Sequence, residues 1–369
     1  MAAPAEALAP VPQRLTALDI FRGATIALMV LVNNPGDGRH VYWPLEHSEW
    51  NGWTPTDVVF PSFLWIVGVA LTLALGRRLE AGASRGALFR QAARRAAILY
   101  VLGLAVYAFP DFNPATQRLL GVLQRIAICY LVAVAIFLTT RIRGQIAWIV
   151  GLCASYWLLM KFAPVPGFGA GRLDVEGNFA HYVDRIVLGA HNYHSTTTWD
   201  PEGIVSTLPA IATALLGIMC GHLLRWKRTL SERAAWLTGA GTALIVAGLV
   251  CNTWLPINKK LWTVSFCLFM AGLDFILFAG SLWLGERGGV KRLLKPLLVL
   301  GMNSITVYMI SELLDEALNA TGLHHRIYNA VFAPLASPFN ASLLWGLAYT
   351  GLMFLIAWVM YRRNWIVRV

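Results

Sequence analysis

Apolar runs of about twenty residues recur from one end of this chain to the other, and nothing else in it constrains the fold as tightly. A bilayer core takes roughly 20 consecutive apolar residues per helix. Ten such runs fall at about 16–34, 57–76, 96–110, 119–140, 145–163, 204–224, 235–254, 262–284, 296–315 and 342–361. Only 13% of the 369 residues are charged, against about 25% in a typical soluble domain, and mean hydropathy is +0.59. A transmembrane barrel would show alternating segments of about ten residues, and these runs do not alternate. The expected fold is an all-α, polytopic transmembrane bundle of about 10–11 spans. No repeat breaks the chain, so it reads as one domain over 1–369, behind a flexible Ala/Pro-rich tail at 1–14.

Net charge is +11, and its distribution argues against nucleic acid as the partner. Cytoplasmic loops collect Lys and Arg. Threading the ten spans puts 20 of the 30 basic residues on one side and 8 on the other, with Arg22 and Arg125 inside spans. Both termini are therefore expected in the cytoplasm, with lipid as the surrounding partner. The segment Arg77–Arg95 reads as an amphipathic surface continuation of the second helix. The first apolar run carries Asp19 and Arg22, unlike the core of a signal peptide. All five cysteines fall within spans, which leaves neither a disulfide framework nor a CxxC metal pattern.

Chemistry concentrates on the less basic side, in loops at about 35–56, 111–118, 164–203, 255–261 and 316–341. Seven of the eight histidines lie there, and His222 alone sits near the other face. In HSEWNGWTPTDVVFP, His47 can exchange protons near neutral pH, and Trp50 and Trp53 suit the headgroup zone. Thr54, Pro55 and Asp57 read as a helix start, with Thr54 as cap, Pro55 first and Asp57 third. On the residues alone, interfacial anchoring plus capping explains this stretch better than catalysis does. The spans also bury costly groups: Asp19 with Arg22, Gln124 with Arg125, Asp274, and the pair Asn303-Ser304. Singly each serves as interhelical glue; together they favour a polar cavity through the bundle. In LGAHNYHSTTTWDPEG, His191 and His194 lack a third ligand for zinc. That stretch suits either a solvated loop or recognition of a hydroxyl-rich or cationic ligand.

Six stretches, in order along most of the chain, resemble the heparan-α-glucosaminide N-acetyltransferase family: LDIFRGATIALMVLVNN at 18–34, HSEWNGWTPTDVVFPSFLWIVG at 47–68, RLLGVLQRIAICY at 118–130, WDPEGIVSTLPAIATALLG at 199–217, NKKLWTVSF at 258–266 and GMNSITVYM at 301–309. The resemblance implies a membrane acetyltransferase, in this case of a bacterial inner membrane, that moves acetyl from cytoplasmic acetyl-CoA to an amino-sugar amine on the far side. It implies a catalytic histidine at His47 and a catalytic asparagine closing the first span, at Asn33 or Asn34, with Asn33 the better fit after the Val-Leu-Val run. Arg22, Arg125, Asp274, Asn303 and Ser304 are then expected to hold the acetyl-CoA cosubstrate. Trp50, Asn51, Asp57, His191, Asp200, Glu202 and Asn258 are expected to bind the acceptor, with no metal involved. His47 would act either as a base in direct transfer or as an acetyl carrier. A homodimer is among the expected assemblies. The rival class is a transporter or flippase for a sugar or lipid-linked glycan, although transporters tend to show paired repeats, and none is visible here.

Overall fold

Each apolar run folds as helix, because in lipid a backbone segment must satisfy its own N–H and C=O groups. A computed structural model of the chain describes residues 15–285 and 292–367. The tail at 1–14, together with Arg14, Arg287, Lys291 and Arg368 of the charge count, lies outside the described residues. The main helices are α1 (Thr16–Asn33), α2 (Val59–Glu80), α3 (Arg85–Ala108), α4 (Val122–Thr139) and α5 (Ile142–Phe162), followed after the short α6 (Phe179–Val187) by α7 (Thr207–Arg225), α8 (Leu230–Cys251) and α9 (Val264–Gly285). Next come α10 (Lys295–Met302), α11 (Ser304–Ala320), the short α12 (Leu323–Ile327) and α13 (Pro338–Arg362). A two-stranded hairpin, Pro164–Val165 against Gly169–Ala170, decorates the loop after α5. The chain is thus a multi-pass membrane protein.

Two details differ from expectation. Among the described residues, eight helices are long and apolar enough to cross a membrane, or nine if α10 and α11, bent by 80°, count as one span. The one run left over, 96–110, is the second half of α3, whose first half carries Arg85, Arg90, Arg94 and Arg95 and so lowers the apolar character of the whole helix. Nor does the Arg77–Arg95 segment continue α2. The chain turns at Ala81–Ser84, where Gly82 adopts φ +86° and the Ser84 hydroxyl caps α3 by accepting from Ala87 N.

Helix crossings depend on residues without side chains. A Cβ at Gly68 of α2 would stand 1.9 Å from the Ala214 carbonyl oxygen of α7, and one at Gly217 would stand 2.0 Å from that of Trp65. Gly23 of α1 and Gly301 of α10 lock the same way, at 1.7 Å from Leu297 O and 1.9 Å from Asp19 O. Close backbone contact replaces the hydrophobic driving force that lipid removes. The α1–α10 contact and the bend after it leave a gap bordered by α1, α2, α3, α4 and α11. At the bend, Asn303 pins the C-terminal segment: its amide donates to Trp365 O (3.1 Å), and its Oδ1 accepts from Val367 N (3.1 Å).

Candidate active site

Two loops far apart in sequence meet at the end of the bundle where α1 finishes and α2 begins. Asp57 lies in the 3-10 turn Pro55–Val58 that leads into α2, and Thr54 starts that turn as expected, with its N–H donating to Asp57 Oδ2 at 3.0 Å. Ser48 N donates to the same oxygen at 3.1 Å. Asp57 Oδ1 is 2.8 Å from Nδ1 of His47. Asp57 is fully buried, whereas the His47 side chain is 49% exposed. A carboxylate can only accept, so the Asp57 contact puts a ring hydrogen on Nδ1, and in the neutral ring that leaves the lone pair on Nε2, the tautomer a base or nucleophile needs.

Lys259 arrives from the turn between α8 and α9. Its ammonium stands 2.9 and 3.2 Å from the two ring nitrogens of His47 and 3.5 Å from Asp57 Oδ1. Burial pushes the Lys259 amine below its ordinary value, while the Asp57 and Glu202 carboxylates pull the other way. The turn is held by Asn258, whose Oδ1 accepts from Leu261 N (2.9 Å), and it forces Trp262 into the left-handed region at φ +50°. Asn258 also donates to Asn51 Oδ1 at 3.3 Å, Gly52 N donates to Ile257 O at 2.7 Å, and Lys260 donates to Glu49 O at 2.5 Å. These contacts stitch the His47 loop to the Lys259 turn. Asn51 and Asn258, both expected to bind acceptor, are engaged in that joint.

Beside this pair lies a block of buried charge. Arg118 makes two bonds to Asp200 (2.8 and 2.6 Å) and one to Glu202 (2.5 Å), between the rings of Tyr107 and Tyr193 at 4.7 and 4.3 Å. Burial would raise Glu202, but Arg118, then Arg125 and Lys259, outweigh it and hold the carboxyl below its ordinary range. Asp184 closes the turn from below, accepting from Ile204 N at 2.9 Å. Arg125 bonds Gly203 O (3.1 Å) and the Ser206 hydroxyl, with its guanidinium over the Trp262 ring at 5.1 Å. The DPEG stretch is therefore neither a solvated loop nor a pair of free carboxylates. Trp50 donates its indole N–H to Leu173 O at 3.0 Å, and His191 donates to Gln117 O at 2.8 Å. Trp199 stacks on His181 at 4.1 Å. Among the described residues no group of three or more His, Cys, Asp and Glu is placed to hold a metal.

A cavity of about 860 Å³ enters from the opposite, basic end. Arg22, Arg78, Arg94 and Arg95 line it with Asp19 as the one acid, followed by Ile26, Met29, Phe63, Ile66 and Val122, and it reaches Tyr308. From Arg78 to Phe63 on α2 it follows fifteen residues, about 22 Å at 1.5 Å per residue, out of a roughly 30 Å apolar core. Ile366 and Val367 of the segment pinned by Asn303 complete its wall. Of the five residues expected to hold acetyl-CoA, Arg22 and Ser304 line the cavity and the other three do not. Asn303 binds the C-terminal segment, Arg125 belongs to the charge block, and Asp274 is fully buried and accepts from the Ser62 hydroxyl at 2.5 Å. Asn33, at the end of α1, donates to Glu312 of α11 at 3.3 Å.

Three site residues escaped the sequence reading: Lys259, Arg118 and Glu312. Lys259 lies one residue past Asn258, Arg118 is one of the eight basic residues on the less basic side, and Glu312 is a carboxylate inside the apolar run at 296–315, which is the signal that points to it. Comparison with known proteins adds the family. The family described as "Heparan-alpha-glucosaminide N-acetyltransferase, catalytic" matches residues 14–257. The chain is also 29% identical to heparan-alpha-glucosaminide N-acetyltransferase of Mus musculus and 28% identical to that of Homo sapiens, over 95% and 97% of its own length. It spans 60% of the length of each relative. With two thirds of its residues matched and the motif histidine set on a buried carboxylate, the chain belongs to the heparan-α-glucosaminide N-acetyltransferase family.

Proposed function

We propose that this protein transfers acetyl from cytoplasmic acetyl-CoA to an amine, that of a glucosamine-type sugar, at the opposite membrane face. The cellular setting we propose is a bacterial inner membrane with both termini inside. The cavity is the observation that carries the reading: it is basic where a polyanion would enter, apolar through the middle, and ends one to two helical turns short of Asn33 and Asp57. Four arginines suit the phosphates of CoA, since a guanidinium grips phosphate bidentately. The thin pantetheine arm suits the apolar stretch between them and Tyr308.

At the far end His47 does the proton work. An amine is inert as a nucleophile until it loses a proton, and a positioned imidazole with a free Nε2 takes it. Asp57 stabilises the imidazolium that results, and it fixes the ring so that this costs little reorganisation. Lys259 covers Nε2 in the resting arrangement, so acceptor entry has to displace its ammonium before transfer. The Asn33 amide supplies the N–H for the oxyanion, a contact worth about 2.7–4 kcal/mol where such donors have been removed. Holding amine and thioester together contributes roughly 7–11 kcal/mol if their geometry is good. An acetyl-histidine intermediate fits the same residues. Purified protein with labelled acetyl-CoA and glucosamine tests the whole reading. Transfer, with a melting temperature raised by CoA, supports it. No transfer and no CoA shift would overturn it and favour a transporter. Parallel double-reciprocal lines would mark the covalent route and intersecting lines the direct one.

A further inference from the structure

The carboxylates expected from sequence to hold the acceptor's cation are already engaged. Asp200 and Glu202 share Arg118, and Asp57 is bound to His47, Ser48 and Thr54. Glu312 differs. Its hydrogen-bond partner is the neutral Asn33 amide at 3.3 Å, and among the described residues no Lys, Arg or His nitrogen lies within 4.0 Å of its carboxylate. Its place matters as much as its company. Tyr308 closes the deep end of the cavity, and Glu312 follows four residues later on the same face of α11, about 6 Å farther along the helix axis. Asn33 is exposed and Glu312 half-buried, so the pair lies at the edge of the bundle and not in its packed core.

We propose that Glu312 is the seat of the acceptor's ammonium group, a positioning residue that brings a primary amine beside Asn33 at the end of the thioester's path. This rests on the acetyl-transfer reading and deepens it. A half-buried carboxylate with only a neutral partner is costly unless a cation completes it. A primary ammonium has three donors to do so, and a hydroxyl in its place has no charge to offer. A charge preference follows: the site selects amino sugars over their neutral hydroxyl counterparts through Glu312.

The test is a ratio. Glucosamine and glucose are titrated against wild type, Glu312→Gln and Glu312→Asp, reading binding by thermal shift and KM by acetyl transfer, with CoA stabilisation as the check on folding. Wild type should prefer glucosamine. Glu312→Gln should lose that preference by about tenfold or more, the scale of one charge-assisted contact, with the KM for acetyl-CoA unchanged, and Glu312→Asp should keep part of it. General damage would weaken both sugars equally and leave the ratio intact, which overturns the inference. So does a wild type that binds the two sugars alike. A missing CoA shift in wild type sinks the acetyl-transfer reading instead, and the two failures are thus separable.

Discussion

The two ends of the bundle hold charge in opposite ways. At the histidine-bearing end nearly every charge is matched: Arg118 clamps two carboxylates between two tyrosine rings, and Asp57 serves three partners besides Lys259. At the basic end, Arg78, Arg94 and Arg95 stand exposed around the cavity mouth. Arg78 leans on the neutral Gln91 and Arg95 on the face of Tyr130. Matched, desolvated charge fixes geometry and suits bond-making. Loose excess charge attracts a polyanion and releases it, with a grip that salt weakens. The difference is what a cosubstrate loaded from one side and used at the other would require.

The largest expected effect tests the matched end directly. His47→Ala should lower acetyl transfer by about 10²–10⁴-fold, the span of general-base contributions, while the CoA-induced rise in melting temperature persists. Asp57→Asn, which keeps the shape and loses the charge, should fall in the same direction. If both variants lose the CoA shift as well, the two ends are not separate in function and the comparison breaks.

Next in size is the stability of the charge block. Arg118→Met strands two buried carboxylates, and removing one partner of a buried pair costs about 3–5 kcal/mol. Chemical or thermal unfolding in detergent should show that loss. Arg94→Gln on the loose end should leave stability nearly unmoved, because exposed charges contribute little.

How much of this was readable beforehand follows from range. Every long helix answers to a run visible in the sequence, whereas the short α6 and α12 lie in stretches that read as loops; the Thr54 start was legible from three local residues, and the interruption at Asn303-Ser304 marks the place where α10 and α11 bend by 80°. Such signals are carried within a turn or two of chain. The site's partnerships are not. Lys259 meets His47 across 212 positions, Arg118 meets Asp200 across 82, and Asn33 meets Glu312 across 279. No periodicity encodes those meetings, so the DPEG carboxylates read as free although Arg118 had claimed both. His47 and Asp57 stood ten residues apart in one quoted stretch. Even so, only the turn between them shows that the aspartate caps a helix and orients an imidazole at once.

A pH experiment sharpens the contrast at the margin of the matched end. Burial lowers His181 from 6.5 to about 4, so its contribution is present above 6.5 and is lost as pH falls through that window, where only the unfolded chain takes the proton. Burial raises Asp184 from 3.8 to about 6. The folded state then holds the extra proton between 6 and 3.8, and stability from this group rises as pH falls. The two effects, each on the order of 3 kcal/mol by the conversion of one pKa unit to 1.36 kcal/mol, oppose each other across nearly the same range. Melting temperatures at pH 6.5 and 4.5 should therefore diverge between single variants: Asp184→Asn loses stability on acidification more steeply than wild type, and His181→Gln less steeply. Identical slopes would mean that these two groups do not carry the acid response.

The smallest effect belongs to the loose end. Arg94→Gln and Arg95→Gln should each weaken CoA by only a few-fold at moderate salt, in keeping with about 0.2–1 kcal/mol for an exposed ion pair. The informative reading is the salt dependence. Raising ionic strength from about 0.05 to 0.5 M shortens the screening length from more than 10 Å to less than 5 Å. Wild-type affinity for CoA should fall along that series, and the double variant should fall less, because part of the screened attraction is already gone. Glucosamine affinity, if the seat is the half-buried Glu312, should change less over the same range. A cosubstrate whose binding ignores both salt and these arginines would have to be held by the apolar middle of the cavity, and the basic mouth would then serve orientation in the membrane rather than capture.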